Sequence, residues 1–153
     1  MSLPSLAAIP SLLLPLVSRS EQSWRAAVAQ LAGEHGLDDW SPERWAAFER
    51  VSAASDFFIE QSLRDPVMLL DLVRSGELDR SFKPGELCGQ IAEAVETAAT
   101  DDELGRVLRR QRTRQQIRII WRDLNRQADL VETCRDLSDM ADASIDQAYR
   151  WLY

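Results

Sequence analysis

Residues 105–127 read GRVLRRQRTRQQIRIIWRDLNRQ, and eight arginines (Arg106, Arg109, Arg110, Arg112, Arg114, Arg118, Arg122 and Arg126) crowd into this stretch. Guanidinium groups at this density serve to hold anions: phosphate, an acidic partner, or carboxylates of the same chain. The rest of the sequence is acidic. The net charge is −7, and residues 105–126 contain eight of the 18 basic residues but a single acid, Asp123, leaving ten bases against 24 acids elsewhere. A body so charged repels a phosphate backbone, and aromatic residues are not interleaved among the arginines as stacking platforms, so no nucleic acid is expected as partner. Other chemistry is sparse. His35 is the single histidine, and Cys88 and Cys134 lack metal-ligand spacing, so neither a zinc site nor a Cys–His nucleophile can be assembled. Both cysteines read as buried, reduced structural thiols.

The acids that could answer the arginines lie just downstream. Asp129, Glu132, Asp136, Asp139, Asp142 and Asp146 recur at nearly helical spacing, and only a short RQA connection separates them from the basic stretch. Two helices joined so briefly pack antiparallel, which brings Arg122 near Glu132 or Thr133 and Arg118 near Asp136 or Leu137. An apolar seam of Ile117, Trp121, Leu124, Leu130, Cys134 and Leu137 is expected to hold this hairpin. Exposed ion pairs would add only about 0 to 1 kcal/mol each. Arg109, Arg112 and Arg114 lie towards the far end and are expected to stay open to an outside anion, such as an acidic protein partner.

The elements that position these residues are helices. With 45% hydrophobic and 28% charged residues in 153, the chain can bury one ordinary core. Trp24, Val28 and Leu31 form a stripe after Ser20 that ends at Gly33 to Gly36, and Ser41-Pro42-Glu43 opens a second helix running to about Leu63. Asp65-Pro66 opens a third that Gly76 stops, and a fourth follows Pro84 with Leu87, Ile91, Val95 and Ala98. Thr100 with Glu103 forms a capping box for the arginine helix, and Asp129 with Glu132 caps the last, whose apolar positions are Leu130, Cys134, Leu137, Ala141, Ile145, Ala148 and Leu152. The expected fold is an all-α bundle of about five or six helices closed by a long antiparallel hairpin. Residues 1–19, apolar but broken by Pro4, Pro10 and Pro15, read as an arm, and 20–153 as a helical domain cut short at Tyr153. Neither a signal peptide nor a membrane span fits the arm, so the protein is expected in the cytoplasm.

Residues 108–153 resemble the segment just ahead of the first catalytic domain in the bifunctional glutamine synthetase adenylyltransferase and adenylyl-removing enzymes. The resemblance rests on Arg118, Ile119, Arg122 and Asp123, then Ala128, Asp129, Leu130, Glu132 and Thr133, then Leu137, Ser138, Ala141 and Asp142, and on the closing Trp151, Leu152 and Tyr153. Upstream, SDFFIEQSLRDPVMLLDLVRSGEL at residues 55–78 is similar to the same family's S-D-F helix and L-x-x-S-G-x-L stretch. Gln111, Gln116, Asn125 and Arg126 depart from its pattern. The family's catalytic signature, a Gly-rich turn followed by S-D-x-D, is absent from the 153 residues.

The resemblance implies the helical, non-catalytic N-terminal segment of the adenylyl-removing half of an enzyme whose halves attach AMP to, and remove it from, a tyrosine of glutamine synthetase. It implies Mg2+ with ATP or phosphate for that enzyme and no cofactor in this segment. As partners it implies the downstream catalytic domain, glutamine synthetase and, as a further candidate, a PII signalling protein. Trp121 is expected in the core, whereas Trp151 and Tyr153 could serve as core or as contacts to the catalytic domain. The alternative from the residues alone is a free-standing helical module that grips an acidic protein through its arginine helix.

Overall fold

The computed structural model describes residues 8–31 and 40–153. His35, Gly33 and Gly36 lie outside these, as does the first part of the expected arm. A 3-10 turn at Ser11–Leu13 leads into α1 (Leu14–Ala29), followed by α2 (Pro42–Ala54), α3 (Asp56–Arg64), α4 (Pro66–Arg74), α5 (Glu86–Val95), α6 (Asp101–Leu124) and α7 (Leu130–Leu152). All regular structure among the described residues is helical. Contacts divide the chain into two compact units, residues 1–71 and 72–153.

The first unit packs α1, α2 and α3 around aromatic rings. Trp24, Phe48 and Phe58 are fully buried, with ring centroids 5.9 Å apart for Trp24 and Phe48 and 5.7 Å for Phe48 and Phe58. Two expectations change here. Helix α1 starts at Leu14, with Pro15 in its first turn where a missing N–H costs nothing, so Ser20 lies inside the helix and is buried. The helix expected from Pro42 to about Leu63 breaks at Ser55, whose backbone is extended (φ −144°) and whose hydroxyl accepts the Phe58 N–H at 3.1 Å. A serine that caps the following helix ends the preceding one, and this break supplies the seventh helix.

In the second unit Leu87, Ile91 and Val95 of α5 meet Leu104 of α6 and Met140 and Ala143 of α7, with Phe82 and Ala98 closing the ends. The cap of α6 forms at Thr100, with the return bond of Glu103 falling one residue earlier than in a capping box. Thr100 Oγ1 accepts the Glu103 N–H at 3.2 Å, and the Glu103 carboxylate accepts the Ala99 N–H at 2.7 Å. Asp129 caps α7 through the Glu132 N–H at 2.8 Å. Between the two helices Arg126 takes the left-handed conformation (φ 55°), and the Arg122 carbonyl accepts N–H groups from Gln127 and Ala128. The hairpin is antiparallel along its whole length: Asp123 meets Thr133 at one end (3.1 Å), and Asp101 accepts from Trp151 Nε1 at the other (3.2 Å).

Candidate functional site

The fourfold spacing of Arg114, Arg118 and Arg122 sends three guanidinium groups from α6 towards the connection at residues 75–85, which has neither helix nor strand. Arg118 is 0% exposed. Its Nη1 donates to Asp136 Oδ2 at 2.7 Å, its Nε to the Glu77 carbonyl at 3.0 Å and its Nη2 to the Arg80 carbonyl at 2.8 Å. The Phe82 ring covers the guanidinium face, 3.6 Å from its carbon. Burial lowers the pKa of Arg118 from the usual arginine value, and the hydrogen bond to Asp136 opposes that shift.

Arg122, 3% exposed, donates to Glu132 Oε1 (3.0 Å), the Leu78 carbonyl (3.2 Å), the Gln127 carbonyl (3.0 Å) and Ser81 Oγ (3.3 Å). Ser81 in turn donates to Glu132 Oε2 at 2.7 Å. Arg114 pairs with Glu77, whose other oxygen accepts from Gln90 Nε2 at 3.0 Å, and Gln90 accepts from the buried Gln115 at 3.1 Å. At the edge, Arg80 grips Glu86 through both terminal nitrogens, and this, with the Lys83 N–H that Glu86 also accepts, pulls the Glu86 carboxyl from 4.5 to about 2.

The arginines thus answer mainly to their own chain. The pairings of Arg118 with Asp136 and of Arg122 with Glu132 fall where the hairpin register places them, but the expected weak, exposed pairs are buried ones. Arg114 was expected to be open and is instead committed to Glu77. Arg109 and Arg112 are exposed, as is Arg106, whose guanidinium lies 3.9 Å from Glu103.

The seam is also different. Ile117 and Trp121 are buried and Leu124 half-buried, but Leu130 is 75% exposed and Cys134 and Leu137 are exposed too. Helix α7 turns Glu132, Asp136, Met140 and Ala143 inward, because the arginines need carboxylates more than the seam needs leucines: an unpaired buried guanidinium costs several kcal/mol, about as much as burying two leucines stabilises. Cys134 is therefore not a buried thiol, Cys88 is half-buried, and both are free. Trp151 packs partly against the α5–α7 core, whereas Tyr153 is 92% exposed with its ring 5.2 Å from Tyr149.

Sequence reasoning did not reach Glu77, Phe82, Gln90, Gln115 or the carbonyls of residues 77, 78 and 80. The signal available was Gly76, whose left-handed backbone (φ 72°) begins the loop that delivers Glu77, Phe82 and these carbonyls, whereas Gln90 lies on α5 and Gln115 on α6. Among the described residues no three His, Cys, Asp or Glu side chains gather in a way that could hold a metal. The inward carboxylates Glu77, Glu132 and Asp136 are all engaged by guanidinium groups, so this donor set does not fit a divalent cation. No helix of the described residues is long and apolar enough to cross a membrane.

Residues 45–153, which hold the whole arginine–carboxylate lattice, match the glutamate-ammonia ligase adenylyltransferase family. The chain belongs to that family. Its full length is 64% identical to part of the bifunctional glutamine synthetase adenylyltransferase/adenylyl-removing enzyme of Pseudomonas syringae pv. tomato and 56% identical to part of the enzyme of the same name from Pseudomonas aeruginosa. The same-named enzyme of Thioalkalivibrio sulfidiphilus is 38% identical over 98% of the chain. The chain spans 16% of the length of the two Pseudomonas relatives and 15% of the third. No solved structure matches it. Family membership bears out the resemblance read in the sequence.

Proposed function

We propose that this chain is a non-catalytic helical segment of the adenylyltransferase that controls glutamine synthetase, and that it packs against and positions the adenylyl-removing nucleotidyltransferase domain. The observation that carries this reading is the engagement of the inward charges. Arg114, Arg118 and Arg122 with Glu77, Asp136 and Glu132 form a closed lattice that fixes α6, α7 and the 75–85 connection as one rigid piece, and leaves none of these carboxylates free to hold metal or move a proton. Rigidity is what a positioning element must supply, since misplacing catalytic groups by about 1 Å can cost about a hundredfold in rate.

On this reading Mg2+, ATP and phosphate belong to the catalytic parts of the polypeptide, glutamine synthetase is the substrate, and the enzyme works in the cytoplasm. The exposed Arg109 and Arg112 are the side chains here best placed to meet an acidic surface of glutamine synthetase or of a PII protein. The free-standing module draws no support from the Pseudomonas and Thioalkalivibrio relatives, which are much longer polypeptides.

The test measures phosphate-dependent AMP release from adenylylated glutamine synthetase. The 153-residue chain should release none. The full-length Pseudomonas syringae relative lacking the counterpart of residues 72–153 should lose AMP removal while retaining AMP attachment. Release by the short chain would refute the non-catalytic reading, and undiminished removal by the deleted enzyme would refute the positioning role.

A further inference from the structure

Helix α7 is amphipathic twice over. Its inner face carries Glu132, Asp136, Met140 and Ala143, and its outer face carries a second stripe of exposed residues, Leu130, Cys134, Leu137, Ala141, Ile145 and Leu152. Leu130 is 75% and Ile145 69% exposed. Among the described residues of the second unit, every exposed large apolar side chain lies on this helix or at Tyr153, which follows it. At about 1.5 Å per residue the stripe runs for roughly 30 Å, and a continuous apolar strip of that length on a soluble helix marks an interface.

We infer that the outer stripe of α7 is the face on which the remainder of the same polypeptide docks, a reading that rests on the positioning role proposed above and says which surface performs it. Two observations select this occupant. In the Pseudomonas relatives, which match the whole chain, the counterpart of this segment makes up only 16% of a single polypeptide, so most of the enzyme is tethered to α7. A tethered surface is present at an effective concentration of about millimolar, far above that of a free partner. A second copy is the weaker competitor, because each chain carries a net charge of −7.

Cys134 sits within the stripe and reports its occupancy without any substitution. The half-buried Cys88, whose thiol pKa is pushed up first by burial and then by Asp139, provides a slow internal reference. Iodoacetamide alkylation would be followed by mass spectrometry in the 153-residue chain and in the full-length Pseudomonas syringae enzyme carrying this segment in place of its own. Docking predicts that Cys134 reacts at least about tenfold more slowly in the long polypeptide while Cys88 is unchanged. Equal Cys134 rates in the two would overturn the inference, even if deletion of residues 72–153 abolishes AMP removal and so preserves the positioning role. Protection that appears in the short chain and grows with its concentration would assign the stripe to a second copy instead. Protection in the long polypeptide, combined with unchanged AMP removal by its Ile145→Asp variant, would uphold docking and refute positioning.

Discussion

Replacing Asp136 with Asn tests the central claim about the arginine lattice. The substitution keeps the side chain's shape but removes the negative charge 2.7 Å from a guanidinium that is 0% exposed, while the Asp136 side chain itself is 5% exposed. Removing one partner of a buried pair costs about 3 to 5 kcal/mol, against about 0 to 1 kcal/mol for an exposed pair. The carbonyls of Glu77 and Arg80 and the Phe82 face still solvate Arg118, which places the expected loss near the lower figure, about 3 kcal/mol. Because the chain has two compact units, a global unfolding midpoint would blur the effect. Amide hydrogen exchange on peptides from α6 and α7 reads it locally, and about 3 kcal/mol corresponds to a loss of protection of about a hundredfold. Joint replacement, Arg118→Met with Asp136→Leu, should not restore that protection, because it also strips the Glu77 and Arg80 carbonyls of their donors. A less than fivefold change in Asp136→Asn would mean that the pair is solvated and the reasoning wrong.

Other substitutions separate the lattice from its surroundings. Arg112→Ala, at an exposed position, should change stability by no more than about 0.5 kcal/mol in the same exchange measurement. Thr100→Ala removes the cap of α6 and should cost about 1 kcal/mol, seen as faster exchange confined to the first turn of that helix. The Glu86 carboxyl should titrate near 2 by NMR and return towards 4.5 in Arg80→Ala; a wild-type midpoint near 4.5 would show that the Arg80 fork does not form. The sign follows from the depressed value. The contribution of this pair to folding is complete above about 4.5 and is lost as the pH falls towards 2.

Much of this architecture was legible in local chemistry. Ser41, Thr100 and Asp129 mark helix starts by hydroxyl or carboxylate groups that act within three residues, and these signals survive in the fold. The register of Arg118 on Asp136 and Arg122 on Glu132 followed from the shortness of the α6–α7 connection. Burial of the arginines did not, because the carbonyls that satisfy them come from residues about 40 positions away, and arginine is ordinarily an exposed residue. The orientation of α7 was misjudged for a related reason. Its leucine stripe and its carboxylate stripe have the same helical period, and periodicity alone does not say which one faces inward. Ser55 was missed because Phe48, Val51 and Phe58 keep a helical rhythm across the break.

The bonds from α6 to the carbonyls of Glu77, Leu78 and Arg80 also impose an order of events on folding. The 75–85 connection holds its bend through side chains that lie some forty residues downstream, so it cannot reach its final shape until the α6–α7 hairpin exists to receive it. The hairpin, built from near-neighbour contacts across a five-residue turn, needs no such help to begin. Synthesis from the N-terminus delivers the bend first and its template last, and the segment therefore sets like plaster only after the mould behind it has been cast.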